Sequence, residues 1–342
     1  MRRGGVSMHD TIDRVASGQD LSQSEATSTA TQLVTTASDA QIAGFLMALR
    51  TKGVTPAELA GFAEGIQSKA ETVETDIEPL VDTCGTGGDA FDTFNVSTTS
   101  ALLCAAMDIP VAKHGNRSVS SSSGSSDVLE ELGIRLDVSP STAAEMLSTV
   151  GFSYLHAPSF HPAMANVADA RNELGVSTIF NLVGPLTNPA GASSQIIGVY
   201  DEETLALVAE AASRMDIETA LIVHGDGIDE IAIHGPTEVA EVQGGTVSRY
   251  QLTPEELGLD RAPIDEIAGG TPAENAAITR EVLGGDRRDA CRDIVAANAG
   301  AAAYVAGEVG TISDGVELAE ETLESGSSAA MLDRLTSGVT AE

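Results

Sequence analysis

The sequence predicts an α/β protein: a small all-helical domain, then a large domain with a mostly parallel central sheet flanked by helices. Three observations predict it. Residues 8–70 carry helix signals and no strand signal. From about residue 79 short apolar runs alternate with helical stretches. Glycine-rich, basic or acidic turns follow three of those runs, where open parallel sheets present their ligand-binding edge.

The helical stretch has three starts with capping-box spacing: Ser22 with Glu25, Ser38 with Gln41, and Thr55-Pro56 with Glu58. Ile42, Phe45, Leu46 and Leu49 recur at helical spacing behind one of them. PLVDTCG (79–85) reads as a short strand ending in glycine, and a helix follows from about Asn95 to Met107. PVAKH (110–114) is the next strand, with a Ser-rich loop and a helix near 125–133 behind it. Ser139-Pro140 opens another helix. SYLHA (153–157) precedes a helix-like segment at 161–174. QIIGVYD (195–201), a helix at 203–215 and ALIVHG (220–225) continue the alternation. VAEVQGGTVSRYQL (239–252) is two alternating runs joined at Gly244-Gly245, a hairpin signal. Thr253-Pro254 and Thr271-Pro272 each open a helix, with Glu256 and Glu274 at the capping-box position. The tail from 287 to 342 is Ala-rich and helical.

Composition narrows the function classes. Acidic residues number 51 against 18 basic ones, a net charge of −33, and the acids are spread along the chain. Such a surface repels itself unless salt screens it, so a salt-rich cytoplasm is expected. Non-specific binding to nucleic acid or an anionic membrane is disfavoured. No apolar run reaches the ~20 residues of a membrane span, and the MRRGG start has no apolar stretch behind it to make a secretory leader. Cys84, Cys104 and Cys291 are odd in number and lack metal-like pairing, which suits small buried hydrophobes in a reducing cytosol. No His/Cys spacing suggests zinc.

Two loops carry chemistry. In CGTGGDAFDTFNVST (84–98), Gly85, Gly87 and Gly88 let backbone N–H groups approach a ligand, and Asn95, Ser97 and Thr98 stand where a helix begins. This is either a phosphate cradle or an ordinary tight connection; it matches neither a Walker loop nor the dinucleotide fingerprint. The second loop, KHGNRSVSSSSGSSD (113–127), tilts the balance. Lys occurs in this chain only at 52, 69 and 113, yet Lys113, His114 and Arg117 cluster directly after a strand. A positive cluster in so acidic a body suits a polyanionic ligand. The serines from Ser118 to Ser126 offer hydroxyls and N–H groups to phosphate oxygens.

GTGGD (85–89), NVST (95–98), KHGNRSVSS (113–121) and HPAMANVADARNELGVSTIFNLVGPLTNP (161–189) together resemble the anthranilate phosphoribosyltransferase family, in order and spacing, from the N-terminal helices to about residue 260. The resemblance implies a nucleoside phosphorylase/phosphoribosyltransferase-type fold with a helical domain at 1–75, a later helical segment at about 161–190 packing on it, and an α/β domain at 76–342. It also implies a homodimer through the helical domain, with the active site between the two domains. Gly85, Gly88, Asp89, Thr93, Asn95, Val96, Ser97 and Thr98 would surround phosphoribosyl pyrophosphate. Lys113, His114, Gly115, Asn116, Arg117, Ser118, Val119, Ser120 and Ser121, with Ser125, would hold its phosphates. Gly85, Asn116 and Arg171 would face anthranilate, and Ser97, Asp229 and Glu230 would hold two Mg²⁺ ions. The chain departs from the family where Arg-Thr is usual; here it is Ser177-Thr178.

The implied reaction displaces pyrophosphate from the anomeric carbon of the ribose. Its nucleophile is an aromatic amine that is neutral near pH 7, so no residue is assigned as general base. Asp229-Glu230 follows a strand in GDGIDE and suits Mg²⁺, which takes a few carboxylates plus phosphate oxygens. Arg171 could pair bidentately with the anthranilate carboxylate. Two other readings stand beside this one: a pyrimidine nucleoside phosphorylase on the same fold, and a non-catalytic relative that binds nucleic acid. HGNR and Arg171 argue against the first, and the acidity argues against the second.

Overall fold

A computed structural model of the chain describes residues 7–88, 91–117 and 122–337. Four helices come first: α1 (Met8–Ala16), α2 (Gln23–Thr35), α3 (Asp39–Lys52) and α4 (Pro56–Gln67). Capping residues set their starts. Glu25 accepts from the Ser22 N–H at 2.9 Å, and Glu58 from the Thr55 N–H at 2.9 Å. At the third start Gln41 Oε1 accepts from the Ser38 N–H at 3.1 Å. These bonds satisfy donors that a helix leaves open at its first turn. The rings of Phe45 and Phe62 stack at 5.6 Å, and Phe180 meets Phe62 edge-on at 6.3 Å.

The larger part alternates as the sequence predicts. It runs β1 (Val81–Asp82), α5 (Val96–Ala106), β2 (Val111–Gly115), α6 (Ser125–Leu132), α7 (Pro140–Val150), β3 (Phe152–His156), α8 (Ala157–Phe160) and α9 (Ala165–Leu174). It continues with β4 (Ser194–Gly198), α10 (Glu202–Ala212), β5 (Thr219–His224), β6 (Thr237–Gln243) and β7 (Thr246–Leu252). Four helices close it: α11 (Pro272–Leu283), α12 (Ala290–Val305), α13 (Ile312–Ser325) and α14 (Ser327–Thr336). The strands form one sheet in the order β3-β2-β1-β4-β5-β6-β7. The first five are parallel, and β6 and β7 add as antiparallel neighbours. Gly244 and Gly245, with φ of 55° and 77°, make the tight turn that joins them.

Three elements differ from expectation. The strand expected across 79–85 pairs over only Val81 and Asp82, because the chain leaves the sheet at Thr83 to build the glycine loop. The segment 161–174 is broken: Pro162, lacking an N–H, starts a 3₁₀ turn ahead of α9. Thr253-Pro254 opens a 3₁₀ turn, Pro254–Leu257, which Gly258 ends in a left-handed conformation.

The sheet buries both faces. Leu221 and Val223 pack with α5, α12 and α14 residues such as Leu102, Ile294 and Met331. Ala220 and Ile222, pointing the other way, join Val208 of α10 and Leu33, Phe45 and Phe62 of the N-terminal helices. Val167, Ala170, Ile179 and Phe180 share that second core. Asn166 Nδ2 donates to the Leu33 carbonyl at 2.7 Å. Among the described residues no helix is long and apolar enough to cross a membrane. The three cysteines are free; Cys104 and Cys291 are buried and Cys84 is partly exposed.

The topology places a site before any side chain is considered. The chain enters at β1, moves outward through β2 and β3, then returns to the other flank of β1 as β4 and β5. Connections diverge on either side of β1 and β4, leaving a crevice at their carboxyl ends.

Candidate active site

The crevice brings together the loop after β1 and the segment after β5. Gly198, at the end of β4, is where they meet: a Cβ there would lie 1.6 Å from the Asp229 carbonyl oxygen. A Cβ on Gly85 would lie 2.9 Å from Asp229 Oδ2. At Gly198, where the neighbour is backbone, only glycine permits so close an approach. After β5 the chain turns tightly, Gly225 and Ile228 exchanging N–H to carbonyl bonds of 2.9 and 3.2 Å. That turn delivers Asp229 and Glu230 to the crevice. A narrow cleft results, lined by Thr83, Gly85, Ser97, Ser100, Gly198, Asp229, Glu230 and Asn298.

The carboxylates are tied to the glycine loop. Asp229 Oδ2 accepts from the Gly87 N–H at 3.1 Å, and Glu230 Oε1 from the Ser97 N–H at 3.0 Å. Burial raises the Asp229 carboxyl above its ordinary range. Ser97 lies in the first turn of α5, so Glu230 takes up part of that helix's positive end. The sequence expects that end to face a ligand anion; here one of its N–H groups serves a carboxylate.

Lys113 is buried beneath the loop. Its Nζ donates to the Thr83 carbonyl at 2.9 Å, to Thr83 Oγ1 at 3.2 Å and to Ser97 Oγ at 3.4 Å. Its charge therefore reaches the cleft through Thr83 and Ser97, not by lying open to phosphate as the sequence expects. His114 is also buried, 4% exposed. Burial first, then the neighbouring His161, pushes its imidazole down to about 3. It is neutral at physiological pH and offers a hydrogen-bonding ring, not a charge. Its Nδ1 lies 3.2 Å from the Gly184 carbonyl, and its ring centre 5.1 Å from that of His161. His161 Nε2 in turn lies 3.0 Å from the Thr187 carbonyl. Three motifs far apart in sequence, KHGNR, HPAM and GPLTNP, thus meet in one buried cluster.

Other expected residues fall around the cleft. Asn95 stands at the start of α5, but its side chain faces sideways: Nδ2 donates to the Ser123 carbonyl at 3.2 Å, and Oδ1 accepts from Asn275 at 2.8 Å. Thr93 forms an isolated bridge with Ala268, and Val96 and Thr98 are buried. Gly88 is exposed with φ of 87°, and Gly115 ends β2. Asn116 and Arg117 are exposed, with Arg117 paired to Asp127 at 2.8 Å and Glu130 at 2.9 Å. Ser125 begins α6. Asp89, Ser118, Val119, Ser120 and Ser121 lie outside the described residues. Arg171 does not line the cleft; it lies on α9 with its guanidinium 5.1 Å over the Phe180 ring. Arg50 donates to the Ser177 carbonyl.

The sequence reading names Ser97, Gly85, Asp229 and Glu230, which the fold brings together. It misses Asn298, Gly198, Thr83 and Ser100. Asp82, Cys84 and His114 also place donor atoms within 4.8 Å of one another. They do not suit a cation, because Asp82 already accepts from the His114 N–H at 3.1 Å and from Asn188 at 2.7 Å. Burial, and the charge of Asp82, also hold the Cys84 thiol protonated. By contrast Ser97, Asp229 and Glu230 offer only oxygen, and burial keeps the Asp229 carboxyl raised even with Lys113 nearby. That set fits a hard divalent cation such as Mg²⁺.

Comparison with known proteins agrees along the chain. Residues 77–329 match the glycosyl transferase family α/β domain, and residues 9–70 match its helical bundle domain. Anthranilate phosphoribosyltransferase of Haloarcula marismortui is 53% identical over 328 residues, 96% of this chain and 99% of that protein. That of Methanosarcina acetivorans is 46% identical over 321 residues, 93% and 86% of the two chains. The crystal structure of the Thermus thermophilus enzyme superposes with a TM-score of 0.91 at 42% identity, covering 96% of this chain and 98% of that one. The Saccharomyces cerevisiae enzyme in complex with phosphoribosyl pyrophosphate and Mg superposes with a TM-score of 0.88 at 27% identity, covering 98% of each chain.

Proposed function

The chain belongs to the anthranilate phosphoribosyltransferase family, and on that premise we propose its function and the part each residue plays. It transfers the phosphoribosyl group of phosphoribosyl pyrophosphate to the amine of anthranilate. The products are N-(5-phosphoribosyl)anthranilate and pyrophosphate, a step of tryptophan biosynthesis. The observation that carries the reading is the meeting of Ser97, Gly85, Asp229 and Glu230 in one cleft at the sheet's switch point. HGNR (114–117) and Arg171 argue against a pyrimidine nucleoside phosphorylase, and the charge of −33 against a nucleic-acid binder.

In this reading the cleft holds the pyrophosphate end of the substrate. Gly85, Gly88, Asp89, Thr93 and Asn95 to Thr98 surround it, and the stretch from Lys113 to Ser121, with Ser125, takes the phosphates. Lys113 acts from beneath, orienting Ser97 and Thr83. Arg117 and Asn116 act from the exposed side. Ser97, Asp229 and Glu230 hold Mg²⁺, two ions per chain, which when bound offset the charge that builds on departing pyrophosphate. The amine needs no strong base, so the protein works by positioning both reactants and favouring the leaving group. Gly85, Asn116 and Arg171 hold anthranilate, with Arg171 directed at its carboxylate. Its guanidinium lies 5.1 Å over the Phe180 ring, a contact that holds the side chain near one position.

The division into residues 1–75 and 76–342 follows the two family domains, with the α9 region packed on the first. A homodimer through the helical domain follows the family. A salt-adapted, cytoplasmic protein follows the charge of −33 and the haloarchaeal relatives.

Loss of anthranilate fluorescence on mixing the protein with phosphoribosyl pyrophosphate and Mg²⁺ in high KCl tests the function. A decay that requires every component, and collapses in Asp229→Ala/Glu230→Ala, is expected. Folded protein with no decay would overturn the reading.

A further inference from the structure

Residues 229–232 carry both carboxylates yet belong to no strand or helix. Backbone groups in such a buried segment need side-chain partners. One residue supplies most of them. Asn298, in the middle of α12 and 2% exposed, accepts from the Ile231 N–H through Oδ1 at 2.9 Å. Through Nδ2 it donates to the Ile231 carbonyl at 3.1 Å. The second hydrogen of the same amide goes to the Ile294 carbonyl, one turn back along α12, at 2.9 Å. The amide therefore grips both sides of a single residue, as a neighbouring strand would, and is itself anchored to its own helix. That residue directly follows Glu230, and Asn298 lines the same cleft as Asp229 and Glu230. An Asn in the run ANAGAAA is also the sole polar side chain of its stretch. An Ala there would leave the Ile231 N–H and carbonyl without these partners.

We propose that Asn298 is a positioning residue that fixes the Asp229–Glu230 pair for Mg²⁺ and the pyrophosphate group. This rests on the assignment of that pair to Mg²⁺. The carboxylate tips of Asp229 and Glu230 accept from the Gly87 and Ser97 N–H groups. Asn298 provides the anchor on the protein side. Thr237, whose Oγ1 accepts from the Ala232 N–H at 2.9 Å, holds the next residue but does not line the cleft.

The experiment is a calorimetric titration of phosphoribosyl pyrophosphate into Asn298→Ala, Thr237→Val and the unaltered protein, with and without Mg²⁺ and without anthranilate, so that no turnover occurs. The unaltered protein should bind more tightly with Mg²⁺. Asn298→Ala should lose at least about tenfold of that tightening while its Mg²⁺-free affinity stays within about twofold. Thr237→Val should lose stability but keep the tightening. Asn298→Asp retains the acceptor for Ile231 and replaces the Ala variant if that does not fold. Full Mg²⁺-dependent tightening in a folded Asn298 variant would overturn the proposal. Absence of tightening in the unaltered protein would overturn it too, by removing the cation assignment beneath it.

Discussion

Asn188 ties Asp82 to the neighbouring strand: its Nδ2 donates to the Asp82 carboxylate at 2.7 Å and to the Ala112 carbonyl at 2.8 Å. Asp82 ends β1 just before the glycine loop, so this bond sets where the loop leaves the sheet. Burial outweighs Lys113, Asn188 and the His114 N–H, and raises the Asp82 carboxyl from 3.8 to about 6. The folded protein thus holds this proton more tightly than the unfolded chain. The resulting stabilisation is complete below about pH 4 and is lost as pH rises through 6, about 3 kcal/mol in all. Asp82→Asn cannot titrate. The stability of Asp82→Asn relative to the unaltered protein should rise by that amount between pH 4 and pH 7, read by denaturant unfolding in high KCl. A difference that stays flat with pH would refute the assignment.

The helical domain depends on a buried ion pair. Lys52 Nζ lies 2.9 Å from Glu58, which is fully buried, and 2.7 Å from Asp20. Glu58 also accepts from the Leu21 and Thr55 N–H groups at 3.0 and 2.9 Å. Lys52→Met would leave a buried carboxylate without its counter-charge, costing about 3–5 kcal/mol. Adding Glu58→Gln should recover part of the loss, because the amide oxygen can still accept. If chemical unfolding finds the single variant within about 0.5 kcal/mol of the original, the pair carries no stability.

Local signals were legible, and contacts between distant segments were not. Ser22, Ser38 and Thr55 mark helix starts because capping acts over three residues. Gly244-Gly245 marks its hairpin for the same reason. Asp229-Glu230 stands out through its position after a strand, and β5 is that strand. Asn298 leaves a signal, a lone amide in an alanine run, but its partner lies 67 positions away. Nor can a sequence show that Lys113 turns inward or that His114 is kept neutral, since both follow from burial against the 184–188 segment and Thr83. Gly198 looks like any glycine at a strand end until Asp229 is placed against it.

The role proposed for Arg171 predicts different effects on the two substrates. Its guanidinium lies over Phe180, and burial lowers its affinity for a proton without discharging it. Lysine would keep the charge but lose the planar fork. Arg171→Lys should raise KM for anthranilate by about 10- to 100-fold, the worth of a charge-assisted bond. KM for phosphoribosyl pyrophosphate should barely move. Steady-state kinetics with each substrate varied in turn decides it. A rise confined to phosphoribosyl pyrophosphate would assign Arg171 to the other site.

A net charge of −33 opposes the compact state wherever the Debye length is long. Stability should therefore rise steeply from dilute buffer to molar KCl, where that length falls to ~3 Å. Thermal unfolding followed by circular dichroism across that range is the check. Equal stability at both ends would remove the case for salt adaptation.

Gly198→Ala tests the cleft most directly. No unusual backbone angle demands glycine there; the demand comes from contact alone. The added methyl would sit 1.6 Å from the Asp229 carbonyl oxygen and 2.6 Å from its carbon. Both are backbone atoms, and β4 is buried between β1 and β5, so neither side can give way by changing a rotamer. The segment carrying Asp229 and Glu230 must shift by an ångström or more, a displacement that can cost ~100-fold in rate. Gly44→Ala is the matched control, since a Cβ there meets nothing and an alanine favours α3 by about 1 kcal/mol. Gly44→Ala should be as active as the original and slightly more stable. Gly198→Ala should lose at least about 100-fold in kcat/KM and its response to Mg²⁺ together. Unchanged turnover in Gly198→Ala would mean that the carboxylates do not need the place this fold gives them.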